Sequence, residues 1–247
     1  MSLEYRNIIY NRYHSTQSGR GANIKELIQS QSRFFQKEII PLLPPKRTIS
    51  ILDIGAGNGS FLMACKSNGY RNIAGVDLSE EQIQQAKDHG IDCISFDNAL
   101  HFLQNTNQSY DIITAIDLIE HLTKDEIAML FPLIWKKLNP GGTFIFRTPN
   151  LDCPLPNPYA RGDFSHETFL NKHSAFQLLL ATGFQDIQIK PGLIFTDSKI
   201  REWFRKRVMN LITLSFKVRL FGLGYSSKDI LISPNLLGIG VKNTESQ

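Results

Sequence analysis

The chain has 247 residues, 42% of them hydrophobic and 20% charged, and a formal net charge of +4. That length suffices for one large α/β domain, and buries a core without disulfide or metal support. The small basic excess is no argument for nucleic acid. Cys65, Cys93 and Cys153, with no C-x-x-C pair, exclude a disulfide frame or a zinc ribbon. The lead MSLEYRNIIYNRY lacks an apolar signal core, and no run approaches the about eighteen apolar residues of a membrane span. A cytoplasmic chain, at most peripheral at the inner membrane face, is expected.

A polar lead containing Tyr5, Tyr10 and Tyr13 precedes a helical stretch over 22–40, which Pro41, Pro44 and Pro45 stop. TISILDI reads as a buried strand and SFLMACKSNG as a helix closed by Gly69. NIAGVD is a second strand, and Ser79 caps SEEQIQQAKDHG, with acids in its first turn and Gly90 after its last. IDCISF, NALHFLQ, YDIITAI, KDEIAMLFPLIWKKL and TFIFRT continue the alternation, with NPGG ending the long helix. This rhythm predicts right-handed βαβ units and a doubly wound parallel sheet. PNLDCPLPNPYARGDFSH then reads as a long loop, the kind that carries function more often than not. Helix ETFLNKHSAFQLLLATG and strand FQDIQIK follow. A largely helical insertion packed over the sheet's C-terminal edge precedes the last strand, LLGIGVK.

In such a sheet ligands sit beyond the carboxyl ends of the strands, against the first glycine turn. Here that turn is D-I-G-A-G-N-G, Asp53 to Gly59, and not the G-x-G-x-x-G of a dinucleotide site. An acid leading it suits a cationic ligand such as a sulfonium amino acid. Asp77 closes the second strand, where a carboxylate accepts from ribose hydroxyls. Asp97 lies beyond the third strand, where it or Asn98 can accept from an adenine amino group.

D-x-G-x-G-x-G, then V-D-L-S, F-D, the fourth-strand stretch and N-P-G-G, in that order, resemble the class I S-adenosylmethionine-dependent methyltransferases. The match runs from Ile49 to about Lys190, with residues 236–242 as the seventh strand. The resemblance implies a Rossmann-like seven-stranded sheet with an antiparallel last strand, and S-adenosylmethionine as cofactor, released as S-adenosylhomocysteine. It implies that Asp53, Gly55, Ala56, Gly57 and Gly59 hold the methionine part. It also implies Asp77 with Leu78 at the ribose, Asp97 and Asn98 near the adenine, and Ile116 along the cleft.

The acceptor is read from DLIEHL, Asp117 to Leu122, and from R-G-D-F-S-H on the long loop. The fourth strand lacks the N-P-P-Y of DNA amino-methyltransferases, and Cys153 reads as a loop cysteine, so nucleic acid is a minor partner hypothesis. DLIEH resembles ubiquinone-pathway O-methyltransferases and small-RNA 2′-O-methyltransferases, in which acid-x-x-Glu-His ligates a divalent metal. Asp117 stands where that pattern has glutamate, one methylene longer, which puts ligation in question. Glu120 and His121 then either serve a metal or base or brace the turn, and His166 completes such a site or acts alone as base, with Asp117 beside them. His14, His89, His101 and His173 read as structural or surface residues. The arrangement is similar to bacterial small-molecule methyltransferases that act on surface-glycan sugars, lipid-linked intermediates or quinone precursors. It implies O-methylation of a small polyhydroxyl acceptor.

One domain is expected over 1–247: a helical lid over 1–45, a cofactor core over 46–190, a helical cap over 191–233 and the last strand with its tail over 234–247. Tyr10 and Tyr13 either close the lid or simply pack. Residues 199–220 carry an apolar helical stripe beside Lys199, Arg201, Arg205, Lys206 and Arg207. That stripe covers the sheet edge, or rests on anionic lipid, or sets arginines toward an acidic group of the substrate. Oligomeric state leaves no mark on the sequence.

Overall fold

The computed structural model describes residues 4–10, 23–153, 158–194, 196, 198–226 and 230–244. Tyr13 and His14 lie outside them, as does the side chain of Tyr10. Helix α1, Glu4–Tyr10, is followed by α2, Ile24–Glu38, which Asn23 caps through the N–H of Lys25. The βα alternation then runs β1 Ile51–Ile54, α3 Ser60–Ser67, β2 Ile73–Asp77, α4 Glu80–Asp88, β3 Ile94–Phe96, α5 Ala99–Asn105, β4 Tyr110–Ile116, α6 Lys124–Lys137 and β5 Leu138–Pro149. After the short helix α7, Pro158–Arg161, come α8 Lys172–Ala181, β6 Gln185–Pro191, α9 Lys199–Gly222 and β7 Asn235–Val241.

The strands form one sheet in the order β3-β2-β1-β4-β5-β7-β6, the order of addition switching sides between β1 and β4, which run parallel. β7 is antiparallel to both β5 and β6, so β6 points the same way as the first five strands. Side chains alternate between the faces, as a pleated strand dictates. Ile51, Ile112 and Ile145 meet Phe61, Leu62 and Ala86 of α3 and α4 on one face. Leu52, Ile113, Phe144 and Phe146 meet Ile127, Phe131, Ala175 and Leu179 of α6 and α8 on the other. Thr123 starts α6 with a capping box, its hydroxyl accepting from Glu126 N–H while the Glu126 carboxylate returns to the Thr123 N–H.

Two expectations need correction. Residues 167–171 are not helical, and α8 begins at Lys172, where Asn171 and Ser174 close a capping box. The insertion is helical as expected, but it does not pack down over the sheet. None of the residues of α9 is buried.

Candidate active site

A cleft of about 1050 Å³ opens at the C-terminal ends of β1 to β4. Its floor is the turn after β1. Gly55, Gly57 and Gly59 all hold φ between 52° and 73°, the left-handed region that explains glycine at alternate positions. Gly55, Ala56 and Gly57 line the cleft. Gly59 does not; a side chain there would run into Ile91 and Ala86, within 3.0–3.2 Å. Its absence of Cβ lets the turn pack down on the second βα unit.

The acids expected to meet the cofactor stand around this turn. Asp53 is buried, accepts from the Thr114 hydroxyl at 2.6 Å, and is pushed up to about 7 by burial. A cationic group entering the cleft would restore its charge. Asp77 accepts from Gly57 N–H at 2.7 Å on one oxygen and from Ser79 N–H at 2.8 Å on the other. Burial raises its pKa as well. Each oxygen keeps a second lone pair for a diol. Leu78 and Ile116 lie on the cleft wall. Asp97 also reaches it, gripping His101 Nδ1 at 2.8 and 2.9 Å, so His101 is closer to the site than its sequence position suggested. Asn98 lines the cleft too, but its side-chain oxygen caps α5, accepting from the Leu100 and His101 N–H groups.

Beyond β4 the chain makes a 3-10 turn, Ile119–His121, that brings three donor groups together. One ligand atom each from Glu120, His121 and His166 lie within 4.8 Å of one another. Every member is oriented from behind. Thr148 donates its hydroxyl to Glu120 at 3.0 Å. Ser165 donates to Asp163 at 2.6 Å, so toward His121 Nδ1, 2.9 Å away, the same oxygen accepts. His166 Nδ1 meets the Ala160 carbonyl at 2.7 Å. Both imidazoles therefore carry hydrogen on Nδ1, and the Asp163 carboxylate lies 3.8 Å from the Nε2 of His166. Their rings meet edge to face with centroids 4.6 Å apart. Burial, then the neighbouring His166, pushes His121 down to about 4, and burial, then the Asp117 charge, holds the Glu120 carboxyl well above its usual range.

Asp117 is drawn elsewhere. It sits at φ 53°, and its two oxygens accept from Arg147 Nε at 2.8 Å and Nη2 at 2.6 Å. The same guanidinium donates to buried Glu38 at 3.1 Å and lies over the rings of Phe34 and Phe35. Glu38 also accepts from the Leu193 N–H at 2.6 Å. Asp117 and the two histidines share the cleft, but only the histidines join the donor cluster. Sequence reasoning missed Arg147, Glu38, Ser165 and Arg6. Arg147 left one signal, a lone charge in the apolar run TFIFRT. Arg6 of α1 reaches the cleft, bonding the His121 carbonyl at 2.8 Å and the Glu126 carboxylate.

A family model described as methyltransferase domain matches residues 27–189. The chain belongs to the methyltransferase domain family. The sheet order, the antiparallel β7 and the glycine turn are those of its class I, S-adenosylmethionine-dependent members. A ubiquinone biosynthesis O-methyltransferase of Idiomarina loihiensis is 24% identical over 168 residues, 60% of this chain and 66% of that protein. The mitochondrial one of Saccharomyces cerevisiae is 26% identical over 136 residues, 51% of this chain and 43% of its own length. This methyltransferase chain thus spans 66% and 43% of the length of these two relatives. A SAM-dependent methyltransferase of Archaeoglobus fulgidus shares the fold, with a TM-score of 0.66 at 22% identity over 93% of this chain and 98% of that one.

Proposed function

We propose that this chain transfers the methyl group of S-adenosylmethionine to a hydroxyl of a small-molecule acceptor. The observation that carries the reading is the convergence of Glu120, His121 and His166 on the cleft that holds the glycine turn. Methyl transfer is an in-line displacement, and alignment supplies much of its rate. A hydroxyl acceptor must in addition lose its proton, which an amine or carbon acceptor need not do in the same way. The names of the relatives, ubiquinone biosynthesis O-methyltransferases, support oxygen as the acceptor atom. A sugar or other polyhydroxyl metabolite is the acceptor class we favour, and a catechol-like quinone precursor is the one to test against it.

In this reading Asp53 faces the methionine ammonium, Asp77 the ribose diol and Asp97 the adenine edge. The Glu120 carboxyl and the two imidazoles fit a divalent transition metal, since imidazole suits such ions and each donor has an orienting partner behind it. His121, kept neutral by burial, is in the form that ligates and is a weak base on its own. When bound, a divalent ion would polarise the acceptor hydroxyl and ease loss of its proton. Three protein donors, with Asp117 held on Arg147, leave room for that hydroxyl.

The test uses purified protein and methyl-labelled cofactor with a panel of sugars, catechols and amines. Label on a hydroxyl oxygen supports the proposal; label only on nitrogen or carbon overturns it. Asp77→Ala should raise the cofactor dissociation constant about 10–100-fold by calorimetry, the worth of lost charge-assisted hydrogen bonds. Unchanged affinity would remove the ribose assignment.

A further inference from the structure

We infer that α9 docks this protein on the surface of an anionic lipid bilayer, and this stands whatever the acceptor proves to be. The helix runs 24 residues, about 36 Å, from a Ser198 cap that accepts from the Arg201 N–H. Ile200, Phe204, Leu211, Leu214, Val218 and Phe221 recur at steps of three, four and seven, which sets them on one face. They are 59–85% exposed, so the stripe lacks the cover that the sheet was expected to give. Scattered exposed apolar residues need no explanation, but a row along about six turns, with Arg207 in the gap between Phe204 and Leu211, does.

Charge selects the occupant. α9 holds seven Lys or Arg and one Glu, a net +6, whereas the whole chain is +4, leaving −2 on everything else. At 100° per residue, Arg201 and Arg219 fall along one border of the stripe and Lys206 and Lys217 along the other. An apolar stripe between basic borders is the pattern of a helix lying in a membrane interface, its stems buried and its charges in the headgroups. A second copy of this chain would set one +6 helix against another, which electrostatics disfavours. Among the described residues no helix is long and apolar enough to cross a membrane, so α9 would lie on it.

The position of the insertion gives the contact a purpose. Leu193 and Ile194 before α9, and Pro234 and Asn235 after it, all line the cleft. Both roots of the excursion are therefore cleft wall, and a docked α9 sets that wall close to the bilayer.

The experiment uses the full chain and co-sedimentation with phosphatidylcholine vesicles, with and without one-third phosphatidylglycerol. Trp203, exposed beside the stripe, reports insertion by a blue shift in a Trp135→Phe background. Binding to the anionic vesicles should be at least about tenfold tighter than to neutral ones. Leu211→Glu with Val218→Glu should abolish it, and Lys206→Gln with Arg207→Gln and Lys217→Gln should weaken it roughly a hundredfold. Both variants should bind S-adenosylhomocysteine as the parent does, because these side chains are exposed. If the stripe variant fails to fold, the charge variant decides alone. No binding of the parent to anionic vesicles, or equal binding by the variants, overturns the inference. So does a concentration-dependent dimer that the stripe variant abolishes while the parent ignores lipid.

Discussion

Replacing both His121 and His166 by alanine is expected to lower turnover by about 10²–10⁴-fold, the range for a lost proton-handling group. Cofactor affinity should stay near the parent value, since Asp53, Asp77 and Asp97 approach the cleft from β1, β2 and β3, away from these rings. The split between turnover and cofactor binding is the readout. A brace would behave differently: losing it would loosen the 119–121 turn and lower the melting temperature along with the rate. Dialysis against a chelator tests the ion. Activity that falls with chelation and returns with a divalent transition metal matches the donor set of Glu120 and two imidazoles. Full activity in the chelator would leave the proton to the histidines alone. Parent-like turnover in the double variant would end the proposed role of the cluster.

Arg147→Ala is expected to cost about 3–5 kcal/mol of stability, because it strands the buried carboxyl of Glu38. Asp117 contributes less to that loss, since its side chain is 40% exposed and water can replace the guanidinium. For a chain of this size the loss is roughly 10 °C in melting temperature. Removing both partners, as Glu38→Gln with Arg147→Met, should recover much of it, as apolar or neutral replacement of a buried pair often does. Thermal unfolding of the single and double variants gives the comparison. A single variant as stable as the parent would mean that Glu38 finds another partner. The Leu193 N–H bond to Glu38 makes the region after β6 a second place where the damage would show.

The fold was legible because its signals are local. Asp53 to Gly59 specifies three left-handed residues in seven, and near-continuous apolar runs such as ILDI and YDIITAI announce strands buried on both faces. Asp77 and Asp97 could be placed because they end strands, and strand ends meet at one edge of the sheet. The acceptor side was less legible because its partners are distant in sequence. Ser165 orients His121 across 44 residues, and Arg147 joins Asp117 and Glu38 across 30 and 109. Periodicity in α9 predicted a helix correctly. It could not say whether the apolar stripe had anything to cover, since a covered and an uncovered stripe have the same spacing.

The fastening of α1 has a kinetic consequence. The helix is held at the rim of the cleft by Tyr5 on Glu167, by Arg6 on Glu126 and the His121 carbonyl, and by an edge-on contact of Tyr5 with Phe164. Such a clasp is made of exposed and half-buried polar contacts, which release more readily than buried apolar surface does. None of these contacts involves a strand, so their loss would leave the sheet intact. Where a rim helix must part before a spent cofactor leaves, weakening such contacts shortens the residence time of that cofactor.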